Sequence, residues 1–319
     1  MPKPPGRAPA PGMVWIPGGS FVMGSDQHYP EEAPSHRMQV DGFWMDRAPV
    51  TNAQFKKFVK ASGHVTVAER PPDATLYPDA DAEQLQPASI VFVAPPGPSR
   101  QGNHYSWWQY IAGADWRHPE GPGSSIRGRE QHPVVHIAWD DAAAYASWIG
   151  KQLPSEIEWE RAAWGGREGC EFAWGDALHP RGVPMANTFQ GDFPHHNSRL
   201  DGYERTSPVG AFPANGYGLL DMIGNVWEWT ASWYGPHNAE PSGCCSAADD
   251  AGREASIDKH SQHGASPRKV VKGGSYLCAP SYCQRYRPAA RMAQGIDTST
   301  GHMGFRCVVR ADGAAQADP

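Results

Sequence analysis

Helix-forming periodicity is confined to two short stretches of this 319-residue chain, and that confinement limits the fold more than any other feature. In "VTNAQFKKFVKASG", Phe55, Phe58 and Val59 fall at i, i+3 and i+4. That spacing predicts a short helix with Thr51 or Asn52 as its N-cap and an end near Gly63. In "HPVVHIAWDDAAAYASWIGKQLPSEIEWERAAWGG" (132–166), Asp140 or Asp141 can cap a helix running through Ile149 to a stop at Gly150. Ser155 and Glu158 then have capping-box spacing for a second helix, which Gly165 and Gly166 end. From 167 onward no segment predicts a helix. About three helices cannot organise a chain of this length, so strands and loops must supply the rest.

Strand signals are short and scattered. "GMVWIPGGSFVMGSD" (12–26) reads as a hairpin turning at Pro17-Gly18-Gly19, and "HRMQVDGFWMDRAPV" (36–50) alternates like a strand. Residues 64–131 read mostly as loop, with aromatic residues in "HYSWWQYIAGADW". "RKVVKGGSY" resumes as a strand and "GFRCVVR" (304–310) is the last one. Gly (35) and Pro (31) make up roughly a fifth of the chain, against an average near 12%. That content alone would suggest disorder, but 13 Trp, 11 Tyr and 10 Phe are spread over the whole length, and disordered chains lack aromatics. One compact α+β domain with little regular secondary structure is expected over 12–310. A flexible lead (1–11), a polar surface insertion (about 236–268) and a flexible tail (311–319) complete it.

The formal charge of -6 leaves no broad cationic surface, which argues against a nucleic-acid partner. No stretch approaches the ~18 apolar residues of a membrane span, and the start lacks the apolar region of a secretory signal. A cytoplasmic monomer with no membrane partner is the expectation.

Six cysteines remain to be explained. Cys244 and Cys245 are adjacent, poorly placed to pair with each other, and no role is assigned to them; none is assigned to Cys170 either. Cys278 and Cys283 stand five apart in "VKGGSYLCAPSYCQRYRPAAR" (271–291). Three readings compete: a disulfide loop, half of a zinc site, or a reactive thiol pair. A reducing compartment weakens the first. Zinc prefers four ligands, and no third Cys or His is near in sequence. Two soft thiolates suit Cu(I), which tolerates low coordination. His132 and His136 lie at i, i+4, but Pro133 and "VVHIAW" point to a strand in which both share a face. They are read as structural.

Several blocks occur in a recognisable order: "GMVWIPGGSFVMGS", "PVTNAQFKKFV", the 132–163 stretch, "FAWGD", "ANTFQG", "SPVGAFPANGYGLLDMIGNVWEW", "KGGSY" and "GHMGFRC". The series, from about Gly12 to Arg310, closely resembles the formylglycine-generating enzyme and sulfatase-modifying-factor family. The resemblance implies a single domain distantly similar to C-type lectins. The same fold hosts non-catalytic binders, so function is read from the site. Catalytic members carry GGS, two cysteines five apart and an R-Y-R run; here Gly273-Gly274-Ser275, Cys278, Cys283 and Arg285-Tyr286-Arg287 stand in register.

The resemblance implies a copper-dependent oxidase using O2 and a reductant. Its substrate would be a cysteine in a C-x-P-x-R segment of an unfolded sulfatase, converted to Cα-formylglycine. Cys278 and Cys283 would hold copper, Ser275 would orient oxygen or water, and Tyr282 and Trp227 would line the site. It also implies calcium at Asn187, the Thr188 carbonyl, Asp201 and the Tyr203 carbonyl. A second calcium set comprises Asp221, the Gly224 and Val226 carbonyls, and Glu228; hard cations take such oxygens from irregular backbone. Departures are Pro49 in place of a calcium-assigned Glu, Pro288 in place of a disulfide Cys, Ala279 in place of a His, and Asp221 in place of an Asn. The alternatives to the sulfatase-modifying oxidase are a lectin-like binding module without catalysis and a related oxidase acting on a small thiol.

Overall fold

Two of the three expected helix caps form where their spacing predicts them. Thr51 Oγ1 accepts from the Gln54 N–H at 3.4 Å and Gln54 Oε1 accepts from the Thr51 N–H at 2.8 Å, so α1 (Asn52–Ser62) begins in a capping box. It ends at Gly63, whose φ of 71° lies in the left-handed region that a side chain disfavours. Ser155 and Glu158 do the same for α3 (Glu156–Trp164), which Gly165 ends with φ 58°. For α2 (Trp139–Trp148) the N-cap is Ala138, not Asp140 or Asp141. Asp141 sits in the first turn instead. Its carboxylate accepts from the Ala138 N–H at 3.1 Å and from His64 Nε2 at 2.8 Å.

The computed structural model describes residues 4–75, 80–98, 106–237, 246–258 and 266–310. Cys244, Cys245, much of the expected insertion and the 311–319 tail lie outside them. Among the described residues four α-helices and thirteen strands form. The fourth helix, α4 (Ser246–Ala255), falls inside the polar insertion, where no helix was expected. Its Gly252 lies against Trp233, and a Cβ there would stand 3.1 Å from the indole.

The expected hairpin at Pro17-Gly18-Gly19 does not form. β1 (Met13–Ile16) pairs with β4 (Phe43–Asp46), and β2 (Gly19–Met23) pairs with β3 (His36–Val40). The register is unbroken, with Ile16 opposite Phe43 and Gly19 opposite Val40. The glycines therefore bend one long hairpin rather than reverse the chain. A Cβ at Gly18 would meet Val40 O at 2.8 Å, and one at Gly42 would enter the Trp15 ring, so the bend needs both glycines. The tip of this long hairpin is the segment 24–35.

β5 (Ala88–Phe92) and β6 (Trp108–Ala112) form a second hairpin inside the region read mostly as loop. β7 (Gly191–Asp192) and β8 (His196–Asn197) form a third. The central sheet orders β11 (Arg291–Gly295), β10 (Arg268–Lys272), β9 (Trp227–Trp233) and β12 (Met303–Gly304). β13 (Val308–Arg310) closes the sheet started by β1 and β4. The low content of regular elements and the mixed α+β class agree with the sequence.

α3 packs across β9 and β10, and the fully buried Trp159 fills the interface. Burial at this depth stabilises by roughly 2–3 kcal/mol for a large side chain. Trp159 Nε1 and Trp229 Nε1 donate to Glu228 Oε2 and Ile137 O at 2.8 Å each, so neither indole is left unsatisfied. His132 and His136 do not share a strand face. His136 takes φ 59°, is fully buried, and bonds Ser89 Oγ and Pro119 O, while His132 meets Thr206. Pro133 makes one isolated bridge to Thr51, too little for a strand.

Candidate active site

β10 ends at Lys272, and the two glycines that follow set the geometry of the loop. Gly273 has φ 95° and Gly274 φ 70°. A Cβ on Gly274 would stand 2.8 Å from Arg285 O and 3.0 Å from Tyr286 N, so the chain leaving β10 lies directly against the returning chain. The loop is pinned from outside as well. Gly224 N–H donates to Gly273 O at 2.9 Å, Tyr276 N–H to Asn225 O at 3.0 Å, and Phe189 N–H to Cys278 O at 3.0 Å.

Ser275 is fully buried and closes the first turn. Its Oγ accepts from the Leu277 N–H at 3.2 Å and its carbonyl accepts from the Cys278 N–H at 3.0 Å. The Cys283 N–H then donates to Ala279 O at 2.8 Å. Two successive turns thus bring the thiols together, with Cys278 Sγ 3.3 Å from Cys283 Sγ. Both are free and buried. Burial pushes the Cys278 thiol up, whereas the hydrogen bond from Cys278, then Arg285, holds Cys283 down.

Tyr282 stands over this pair, the most exposed of the loop's aromatics at 41%. Its ring stacks on Phe193 with centroids 4.2 Å apart and meets the edge of Trp107 at 5.8 Å. Ala279, next to Cys278, is buried in the aromatic cluster of Phe92, Trp107, Phe189 and Tyr276. An apolar wall therefore adjoins the thiols. Trp227 lies deeper, 2% exposed at the start of β9, in the same buried cluster as the two cysteines. Ser275, Tyr282 and the cysteines share one loop, and Trp227 belongs to the core beneath it.

The sequence reading missed the residues that hold the R-Y-R run. Arg285 Nε and Nη2 donate to Glu31 Oε1 at 3.2 and 2.5 Å, and Arg287 donates to both oxygens of Glu32 at 2.8 and 2.5 Å. Tyr29 lies under the Arg285 guanidinium at 4.0 Å. These partners sit in the tip of the long hairpin, some 250 positions away, and "HYPEEAPS" carries no spacing that announces them.

The thiol pair fits a soft cation of low coordination. Among the described residues no group of three or more His, Cys, Asp or Glu side chains could hold a metal, so a four-ligand zinc site is not built here. The first oxygen-ligand set is brought together. Asp201 accepts from the Thr188 N–H at 3.3 Å and from the Tyr203 N–H at 2.9 Å, burial raises its pKa, and Asn187 turns its amide nitrogen to Arg205 O. A hard cation would relieve that buried carboxylate. In the second set burial pushes Asp221 up to about 6, and its carboxylate accepts from the Gly210 N–H at 2.7 Å. Glu228 is already engaged: Arg306 donates to both of its oxygens at 2.7 Å and Trp159 adds a third bond. With about four lone-pair sites on a carboxylate, a cation there would share Glu228 with Arg306.

Comparison with known proteins identifies the family. A sulfatase-modifying factor enzyme 1-like domain model matches residues 1–311. A formylglycine-generating enzyme of Mycobacterium tuberculosis is 52% identical over 298 residues, covering 93% of this chain and 97% of that protein. A mouse formylglycine-generating enzyme is 43% identical, covering 96% of this chain and 76% of its own. Among solved structures, PvdO from Pseudomonas aeruginosa superposes with a TM-score of 0.60 at 24% identity, covering 93% of each chain, a likeness of fold. By domain match, relatives and fold, the chain belongs to the sulfatase-modifying factor enzyme 1-like family.

Proposed function

We propose that this protein converts a cysteine of a sulfatase polypeptide, within a C-x-P-x-R segment, to Cα-formylglycine, using O2 and a reductant. The observation that carries the reading is the reduced, buried Cys278–Cys283 pair at 3.3 Å beside an apolar wall. The names of the relatives support the same substrate class.

The chemistry balances. Oxidation of the substrate CH2–SH group to a thioaldehyde releases two electrons and two protons, and the reductant supplies two more of each. Together they reduce O2 to water, and hydrolysis of the thioaldehyde gives the aldehyde and hydrogen sulfide. Cys278 and Cys283 would hold Cu(I), which when bound supplies reactivity toward O2 that no side chain here offers. The chain's own residues do the rest. The Ser275 turn and the Gly273-Gly274 approach fix the two sulfurs, so little reorganisation is needed on loading. The stacked Tyr282 and Phe193 rings, braced edge-on by the buried Trp107, would present an apolar face to an extended peptide.

Calcium is proposed at Asn187, Thr188, Asp201 and Tyr203. Phe189, next to Thr188, donates to the Cys278 carbonyl, so a cation there would stiffen the backbone behind the site. At Asp221, Gly224, Val226 and Glu228 a second cation would depend chiefly on Asp221 and the carbonyls. A reducing compartment such as the cytoplasm suits a site that needs both thiols free. Among the described residues no helix is long and apolar enough to cross a membrane.

The test is a C-x-P-x-R peptide incubated with Cu(I)-loaded protein, air and reductant, and followed by mass spectrometry. Replacement of the thiol by an aldehyde, abolished in Cys278→Ser and in Cys283→Ser, is the expected result. No conversion despite Cu(I) binding would move the reading to a small-thiol oxidase. Absence of both would return the chain to a non-catalytic binding module.

A further inference from the structure

The two arginines of the R-Y-R run leave the same loop for different surroundings. Arg287 is enclosed, with its side chain 2% exposed against a fully buried Glu32. That pair anchors the hairpin tip to the loop. Arg285 is 23% exposed and is held on several sides. Its Nε and Nη2 bond Glu31, its plane lies 4.0 Å over the Tyr29 ring, and its Nη1 reaches to 3.9 Å from Cys283 Sγ. The Tyr29 hydroxyl oxygen also accepts from the Gln284 N–H at 3.1 Å, which fixes the backbone between Cys283 and Arg285.

The pair is partly buried, and its geometry puts the guanidinium beside a sulfur. We propose that Glu31 and Tyr29 are positioning residues of the dithiol site, holding the Arg285 guanidinium beside Cys283 Sγ to offset the charge of a metal-bound dithiolate. The inference rests on the reading that Cys278 and Cys283 bind Cu(I). Two thiolates on a monovalent cation carry one net negative charge, and a fixed positive charge at this distance in partly buried surroundings stabilises it. An arginine without Glu31 would spend its time in solvent. Lysine could not replace it, because the guanidinium uses two nitrogens on Glu31 while a third faces the sulfur.

The test measures Cu(I) affinity by competition with a chelator, together with the thiolate-to-copper absorption band and the separate kcat and KM for the C-x-P-x-R peptide. The proteins are the full-length wild type, Glu31→Gln, Tyr29→Leu, Arg285→Lys and, as a control, Glu168→Gln, which breaks a surface pair with Arg161. Removing a group that supports a metal ligand typically weakens binding by about tenfold or more. Such a loss is expected in the first three variants, with a shifted band and a fall in kcat rather than a rise in KM, and no change in Glu168→Gln. Wild-type affinity and kcat in Glu31→Gln, with the fold intact, would overturn the inference and leave the metal reading standing. A wild type that binds no Cu(I) would overturn the metal reading and this inference with it.

Discussion

Arg287 and Glu32, 255 positions apart, form a two-pronged ion pair inside the protein, with nitrogen–oxygen distances of 2.8 and 2.5 Å. Arg287 Nε also donates to Gln284 O at 2.8 Å, so one side chain ties the hairpin tip to the cysteine loop. Replacing both members with well-packed apolar residues would cost little in principle, but removing one strands the other. Arg287→Met should therefore destabilise by about 3–5 kcal/mol in denaturant unfolding. Glu32→Gln should cost less, since an amide oxygen still accepts from the guanidinium. Equal stability of Arg287→Met and wild type would show that the tip is not anchored there.

Gly274 offers a second test, because its φ of 70° and its approach to Arg285 O are both incompatible with a side chain. Gly274→Ala should cost about 1–2 kcal/mol for the left-handed conformation alone, and more for the 2.8 Å contact. The larger effect should fall on the site. The two halves of the loop must separate, so the sulfurs lose their 3.3 Å spacing. Oxidation with a mild disulfide-forming reagent would report it: rapid Cys278–Cys283 cross-linking in the wild type, slow in the variant.

Local signals were legible in the sequence and distant ones were not. Ser155 with Glu158, the Thr51 cap, and the left-handed Gly63 and Gly165 each act within one turn, so local spacing alone places α1 and α3. The thiol pair and its turns also span only a few residues. The bend at Gly18 reads as a hairpin because its real reason, the close approach of Val40 and Gly42, comes from another strand. The apolar positions of α4 (Ala247, Ala251 and Ala255, at i, i+4 and i+8) are all alanines, too small to stand out in a polar stretch. Glu31, Glu32 and Tyr29 were invisible for the same reason as the bend: pairs some 250 residues apart leave no trace in one sequence. The Arg306 partner of Glu228, 78 positions on, was hidden in the same way.

Two buried histidines should make the protein acid-sensitive. His136 is held neutral, with its pKa lowered to about 4, and His302 to about 3, in both cases chiefly by burial. An unfolded histidine titrates near 6.5, so between about 6.5 and 4 the unfolded chain binds more protons and stability falls as pH drops. Each site contributes on the order of 3 kcal/mol across that window, at about 1.4 kcal/mol per pKa unit. Above pH 7 neither contributes a slope. His136→Asn keeps a residue that tolerates φ 59° and removes one titrating group. Its unfolding free energy, although lower at pH 7, should decline less steeply toward pH 4.5. A profile as steep as that of the wild type would mean that His136 is already charged in the fold.

Asp201 provides the sharpest test of the calcium reading, because its carboxylate is desolvated and its bonds come from the backbone N–H groups of Thr188 and Tyr203. A ligand that binds only the folded state stabilises by about 2.7 kcal/mol at one hundred times its Kd. Calcium added to chelator-treated protein should raise Tm accordingly, and magnesium should do so weakly, since it demands a tighter octahedral shell. Asp201→Asn removes the charge while keeping an oxygen acceptor. It should leave the metal-free Tm near or above that of the wild type, because a buried carboxylate is no longer desolvated, and it should abolish the calcium response. If the variant keeps the full response, the ion binds elsewhere, and Asp221 with the carbonyls of Gly224 and Val226 becomes the place to look. If neither protein responds, the backbone behind Cys278 is ordered by its own hydrogen bonds, and the Phe189 N–H to Cys278 O link is sufficient to hold it.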